Sequence, residues 1–198
     1  MMMPRFAALV LASALPLAGC ISIGPKAPDH VLVLTPASPV QAGPARTATD
    51  AQAVTVAPLS AIPSLGTQRI MVSNGTAGVA YVVKDRWAAP PAALFRGLLA
   101  ETITARTGRV VPDPRVQSIT PDTRLSGQVT AFGLDAPGNA AVVTFDAILA
   151  RSGRDQVEYR RFTARVPVAS QDGPTVGAAV NQAANQVAAE AADWIGAN

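Results

Sequence analysis

The sequence predicts an α+β domain of two layers, a largely antiparallel sheet with two main helices packed on one face. Three observations carry this expectation. Several short segments alternate apolar and polar residues with the period of a strand, and turn signals such as Asn74-Gly75 join them as hairpins. Two other segments, 94–103 and 176–194, repeat apolar residues every three or four positions, as a helix lying on a core does. Sheets and helices that are apolar on one side must cover each other, and a two-layer arrangement does so.

In chain order, residues 31–34 (Val-Leu-Val-Leu) are a compact apolar run that reads as a strand. Residues 36–50 hold three prolines and many small residues, a length that marks an internal loop as either functional or mobile. Residues 53–57 alternate as a strand. Residues 68–73 and 79–84 read as two strands on either side of the Asn74-Gly75 turn. Pro90-Pro91 is a helix start, and the helix carries one apolar stripe made by Leu94, Leu98 and Thr102 with Phe95, Leu99 and Ile103. Gly108 stops it. Val110-Val111 begins a further extended stretch that Pro112 and Pro114 cut short.

Residues 125–132, 141–150 and 156–166 read as strands, the last two joined by a turn at Arg151-Ser-Gly-Arg154. Val143, Phe145, Ala147 and Leu149 share one face of the first partner, and Phe162, Ala164 and Val166 share one face of the second. From Pro174 onward, Val176, Val180, Ala183, Val187, Ala191 and Trp194 define an amphipathic helix that ends at Gly196. Its many alanines allow close approach to a sheet. There is no internal repeat.

The chain has 198 residues, 49% of them hydrophobic and 15% charged, which suits one domain with a proper core rather than a disordered chain. The net charge is +3. Its arginines are scattered apart from a short cluster at Arg151, Arg154, Arg160, Arg161 and Arg165, too sparse a basic face for nucleic acid to be an expected partner.

The first twenty residues explain the single cysteine. Arg5 supplies a positive start, and residues 6–17 are an apolar run too short to span a bilayer but right for a signal peptide. Leu17-Ala18-Gly19-Cys20 follows and resembles the bacterial lipobox at every position. The expected organisation is a lipoprotein signal peptide over 1–19, a lipidated tether over 20–30 that starts with lipid attachment at Cys20, and a domain over 31–198. A mature bacterial lipoprotein carries several acyl chains, which together make a stable anchor. Residue 21 is Ile rather than Asp, which favours the outer membrane, with the protein facing the periplasm; inner-membrane anchoring stays open. A tether of about ten residues reaches at most about 35 Å, so the domain stays near its membrane.

Residues that carry chemistry are few. His30 is the one histidine, and with Cys20 acylated no Cys/His metal cluster and no Ser–His or Cys–His pair can be built. No phosphate-binding or dinucleotide-binding glycine motif occurs. Asp146, Asp155 and Glu158 cluster around a hairpin, where charge on a solvent-facing sheet is the ordinary explanation. The expectation is a protein that is not an enzyme and has no catalytic, cofactor or metal site. Two residues stand out as partner-contact candidates, Arg86 and Trp87. Trp87 has two readings, a core ring closing the strand-to-helix junction or an interface anchor, since Arg and Trp often dominate binding when exposed.

A wider pattern runs through the chain: a lipobox, a short strand at residues 30–34, Tyr81-Val-Val-Lys-Asp-Arg-Trp-Ala88, a Pro-initiated helix, a late hairpin with Arg160-Arg161-Phe162, and a final helix ending Ala192-Asp193-Trp194-Ile195. It resembles the ABC-type transport auxiliary lipoprotein family, the PqiC-like proteins. His30 stands where that family usually has an aromatic residue, and Pro90-Pro91 where Pro-Leu is common. The resemblance implies a non-enzymatic accessory lipoprotein of an ABC system that uses mammalian-cell-entry (MCE) domain proteins to move lipids between two membranes. The implied partner is an MCE-domain protein that this chain docks at the outer membrane. A lipid carrier and an envelope-assembly lipoprotein are the alternatives, and the sequence leaves homo-oligomerisation open.

Overall fold

The computed structural model describes residues 27–196 apart from 76, 114 and 116–118. The expected signal peptide, the lipobox with Cys20 and most of the tether lie outside the described residues. The elements in chain order are β1 (His30–Leu32), β2 (Val54–Val56), β3 (Ser60–Ala61), β4 (Arg69–Ser73), β5 (Val79–Trp87), α1 (Pro91–Thr107), β6 (Thr123–Asp135), β7 (Ala140–Arg151), β8 (Glu158–Pro167) and α2 (Gly173–Gly196). The fold is α+β, an open and mostly antiparallel sheet with two helices.

β6 organises the sheet. One of its edges pairs antiparallel with β7 along almost its whole length, and β7 pairs with β8 in the same way. Its other edge is taken in succession by β2, β3 and β4, all parallel to it, with Val54 opposite Thr123, Ser60 opposite Gln128 and Met71 opposite Gly133. β4 then pairs antiparallel with β5, and β1 closes the sheet as a parallel edge strand on β5.

The two helices lie on the face expected from the alternation. Val143, Phe145, Ala147 and Leu149 of β7 and Phe162, Ala164 and Val166 of β8 are all buried. α1 buries Phe95, Leu98, Leu99 and Ile103. α2 buries an alanine-rich stripe, Ala183, Ala184, Ala188, Ala191 and Ala192, beside Val176, Val180, Val187 and Ile195. The Phe95 and Phe145 rings meet edge to face at 5.4 Å, which joins α1 to the sheet. α1 stops at Gly108, which adopts a left-handed φ of 71° and donates its N–H to the Thr104 carbonyl. α2 begins at an Asp172 cap, whose carboxylate accepts the Thr175 N–H at 2.9 Å.

Residues 33–50 are a strap laid over the helix layer. The Thr35 and Ala37 N–H groups donate to the side-chain oxygens of Asn181 and Asn185 at 2.8 and 2.7 Å, and Asn185 donates back to the Thr35 carbonyl. The Val40 N–H donates to Glu101 of α1 at 2.7 Å. Val110 makes one parallel bridge with Ala53 rather than starting a strand.

Candidate functional site: the Arg86 edge

β5 carries one extra stretch of chain against β4. Arg69 pairs with Arg86 and Met71 with Tyr81, so Ile70 alone stands opposite the four residues from Val82 to Asp85. Such a bulge turns side chains outward and bends the strand. Val83 is its tip and is 95% exposed. On its other edge the same stretch pairs with β1, with His30 opposite Asp85, Val31 opposite Arg86 and Leu32 opposite Trp87.

Beyond the bulge, strand alternation sorts three consecutive residues. Asp85 and Trp87 are buried, and Arg86 between them is exposed. Asp85 faces the start of α2 and forms a hydrogen bond with His30, Nδ1 to Oδ1 at 2.7 Å. Trp87 packs its ring edge to face on Phe132, with centroids 5.3 Å apart, and is wholly inaccessible. The partner-contact expectation is therefore corrected for Trp87: a side chain pointing into the core between sheet and helices cannot be an exposed anchor, and the core reading holds. Its indole N–H is buried without a hydrogen-bond partner. Trp194 is part-buried and stacks at a tilt on Phe162, with centroids 5.6 Å apart.

Arg86 does face outward. Its cross-strand neighbour is a second arginine, Arg69, whose guanidinium sits 6.0 Å from the Tyr81 ring centre. The Tyr81 hydroxyl is tied down by donating to the Ser64 carbonyl at 2.9 Å. A shallow cavity of about 440 Å³ opens here, and Arg69, Val83, Asp85 and Arg86 line it together with Thr67 and Gln68. Two like charges across a strand pair repel each other, and an acidic group brought from outside relieves that repulsion. Val31, 58% exposed, adds apolar surface beside the arginines. The edge is thus cationic and apolar together, a combination suited to a protein surface.

The carboxylates noted in the sequence are paired on the sheet surface. Asp146 accepts two bonds from Arg161 at 2.5 and 2.7 Å, and this guanidinium holds its carboxyl below the usual range. Glu158 pairs with Arg151. Among the described residues no group of three His, Cys, Asp or Glu side chains could hold a metal ion, and no helix is long and apolar enough to cross a membrane.

Sequence reasoning finds Arg86 but misses Arg69, Val83 and the bulge. Register between strands leaves no local mark in the chain, though the polar run Lys84-Asp85-Arg86 in an otherwise apolar strand is the signal that something there departs from plain alternation.

The fold is that of a small two-layer α+β domain, with the bulged β5 edge exposed at one side of its sheet. The family model described as ABC-type transport auxiliary lipoprotein component matches residues 32–192, and the chain belongs to that family. Among solved structures it is similar to a DUF330-family protein from Xanthomonas campestris, with 25% identity, a TM-score of 0.63, and coverage of 86% of this chain and 93% of that one. A second crystal structure, of an uncharacterised protein, shares the fold at 20% identity and a TM-score of 0.63, covering 73% of this chain and 93% of that one. No curated protein matches the sequence.

Proposed function

We propose that the protein is the lipid-anchored accessory subunit of an ABC transport system, held by Cys20 at the outer membrane and docking the system's MCE-domain protein through the sheet edge around Arg86. Family membership supports the auxiliary role. The observation that carries the docking surface is the bulge of β5, which presents Val83 and Arg86 outward beside β1, the first strand after the tether. A partner arriving from the periplasm meets this edge close to the membrane. The role is binding and positioning, with no reaction assigned.

A photocrosslinking residue at position 83 in intact cells tests this. The expected result is an adduct with an MCE-domain protein, lost in Arg86→Glu. An adduct with an outer-membrane assembly complex would make the protein an envelope-assembly lipoprotein instead. Lipid retained by the purified protein in native mass spectrometry, with no adduct, would make it a carrier.

A further inference from the structure

At the end of the molecule away from the Arg86 edge, the carboxyl ends of both helices meet the start of β6 and the end of β7 around an open cavity of about 950 Å³. α2 begins against Asp85 and ends in this cavity's wall, and its 24 residues make it about 36 Å long. The cavity is thus separated from the docking edge by the length of that helix.

Four arginines line it, Arg106, Arg109, Arg151 and Arg154, against two aspartates, Asp122 and Asp193. Helix ends explain only one of them. Arg106, in the last turn of α1, makes a two-pronged pair with Asp193 at 2.9 and 2.7 Å, as cations near helix carboxyl ends do. Among the described residues no carboxylate is bonded to Arg109; it donates to the Ala51 and Ala53 carbonyls and to the Thr123 hydroxyl, at 3.0, 3.1 and 2.9 Å. Burial pushes its pKa down, Arg151 adds to this and Asp122 opposes it, so Arg109 and Arg151 share this half-buried wall with one aspartate. Arg151 spends one nitrogen on Glu158, and its other terminal nitrogen is buried without a partner. Arg154 is exposed in the turn after β7, and no side-chain partner is bonded to it among the described residues. Among the described residues, four arginines face two aspartates in this wall, and Arg154 is left without an acidic partner.

We infer that this arginine-lined cavity binds a phosphate-class oxyanion, either a soluble phosphate ester or the headgroup of an acidic phospholipid. A tetrahedral oxyanion offers several acceptors to fork-shaped donors that converge from different elements. Arg154 and Arg109 supply direct contacts, Arg151 supplies charge from behind, and the size suits a small ligand rather than a lone ion. The inference is independent of the docking reading, because it concerns the opposite end of α2.

The test uses the full-length protein in a non-ionic detergent, with melting temperature as the readout. Inorganic phosphate, glycerol 3-phosphate and micelles doped with phosphatidylglycerol or with phosphatidylcholine are titrated in turn. The expected result is a saturable rise in melting temperature with a phosphate-bearing probe. The midpoint should weaken about tenfold in Arg154→Gln and in Arg151→Gln, the size expected for losing one charged partner. Arg161→Gln, on the outer face of the sheet, should titrate like the wild type. Arg154→Gln removes an exposed, unpaired side chain and should melt normally without ligand, so its loss of binding cannot be unfolding. A response to glycerol 3-phosphate identifies a soluble ester as the source; a response to phosphatidylglycerol micelles alone identifies a lipid headgroup. No saturable response to any phosphate probe overturns the inference, as does an equal weakening in all three variants.

Discussion

Gly173 and Asp85 compete for one space: the Asp85 carboxylate lies where any Cβ on Gly173 would have to go. The first residue of α2 is therefore glycine because a buried acid of β5 packs against it, and that same acid is the one bonded to His30. Three elements, β1, β5 and α2, meet at this point.

Gly173→Ala is expected to lower stability by about 1–3 kcal/mol, the usual cost of forcing a methyl into a packed site. Urea denaturation measures it. A neutral or stabilising effect would mean that Asp85 moves freely and that the three-element junction is loose.

Trp87 and Arg86 should separate cleanly. Trp87→Ala empties a wholly buried site and should cost about 3–5 kcal/mol, while Trp87→Phe should cost less because it also removes the buried N–H that lacks a partner. Arg86→Ala should leave the thermal melt unchanged and weaken recovery of the partner in a pull-down. Normal recovery would move the contact elsewhere on the surface.

The cap of α2 titrates. Bonds from Ser170 and from Thr175 hold the Asp172 carboxyl down at about 2, below the ordinary value near 4. A depressed value in the folded state means that the cap's contribution is full above about pH 4 and is lost as the pH falls toward 2. Asp172→Asn should therefore melt below the wild type at neutral pH, with the gap closing in acid. A gap independent of pH would show that charge plays no part in the cap.

Cys20→Ser is expected to abolish acylation and leave an uncleaved precursor in the inner-membrane fraction. Membrane fractionation with detection of the processed form checks this. A variant that still behaves as a mature lipoprotein would refute the lipobox reading.

The helices and the β7–β8 pair are legible in the sequence for a shared physical reason: each has one long face buried against the other layer, so the apolar period survives intact in the chain. The parallel partners of β6 are not legible. Alternation marks β2 and β4 as strands and states which face a residue takes, but not which strand lies alongside, and β3, two residues long, is too short to carry a pattern of its own. Residues 36–50 stand out in the sequence as functional or mobile, and in the fold they are held by hydrogen bonds to α2 and α1. Asn181 and Asn185 stand one helical turn apart and bond the strap, a role that the helical period does not mark. The candidate surface is half visible. Arg86 is found, Trp87 is assigned to the same surface although it points the other way, and Arg69 comes into view only through pairing. The arginines of the cavity fall in two pairs, Arg106 with Arg109 and Arg151 with Arg154, too far apart in the chain to be seen as one group.

The strap gives the molecule a mechanical order. A pull on the chain ahead of His30 is borne first by β1, a three-residue strand at the rim of the sheet, and then by the few bonds to Asn181, Asn185 and Glu101. Peeling these away one after another leaves β4, β6, β7 and β8 intact. The eighteen residues from 33 to 50, drawn straight, would add up to about 60 Å of slack. If the chain is anchored ahead of His30, as proposed, this strap is the part expected to give way before the core, and the domain would then stand farther from its membrane while still folded.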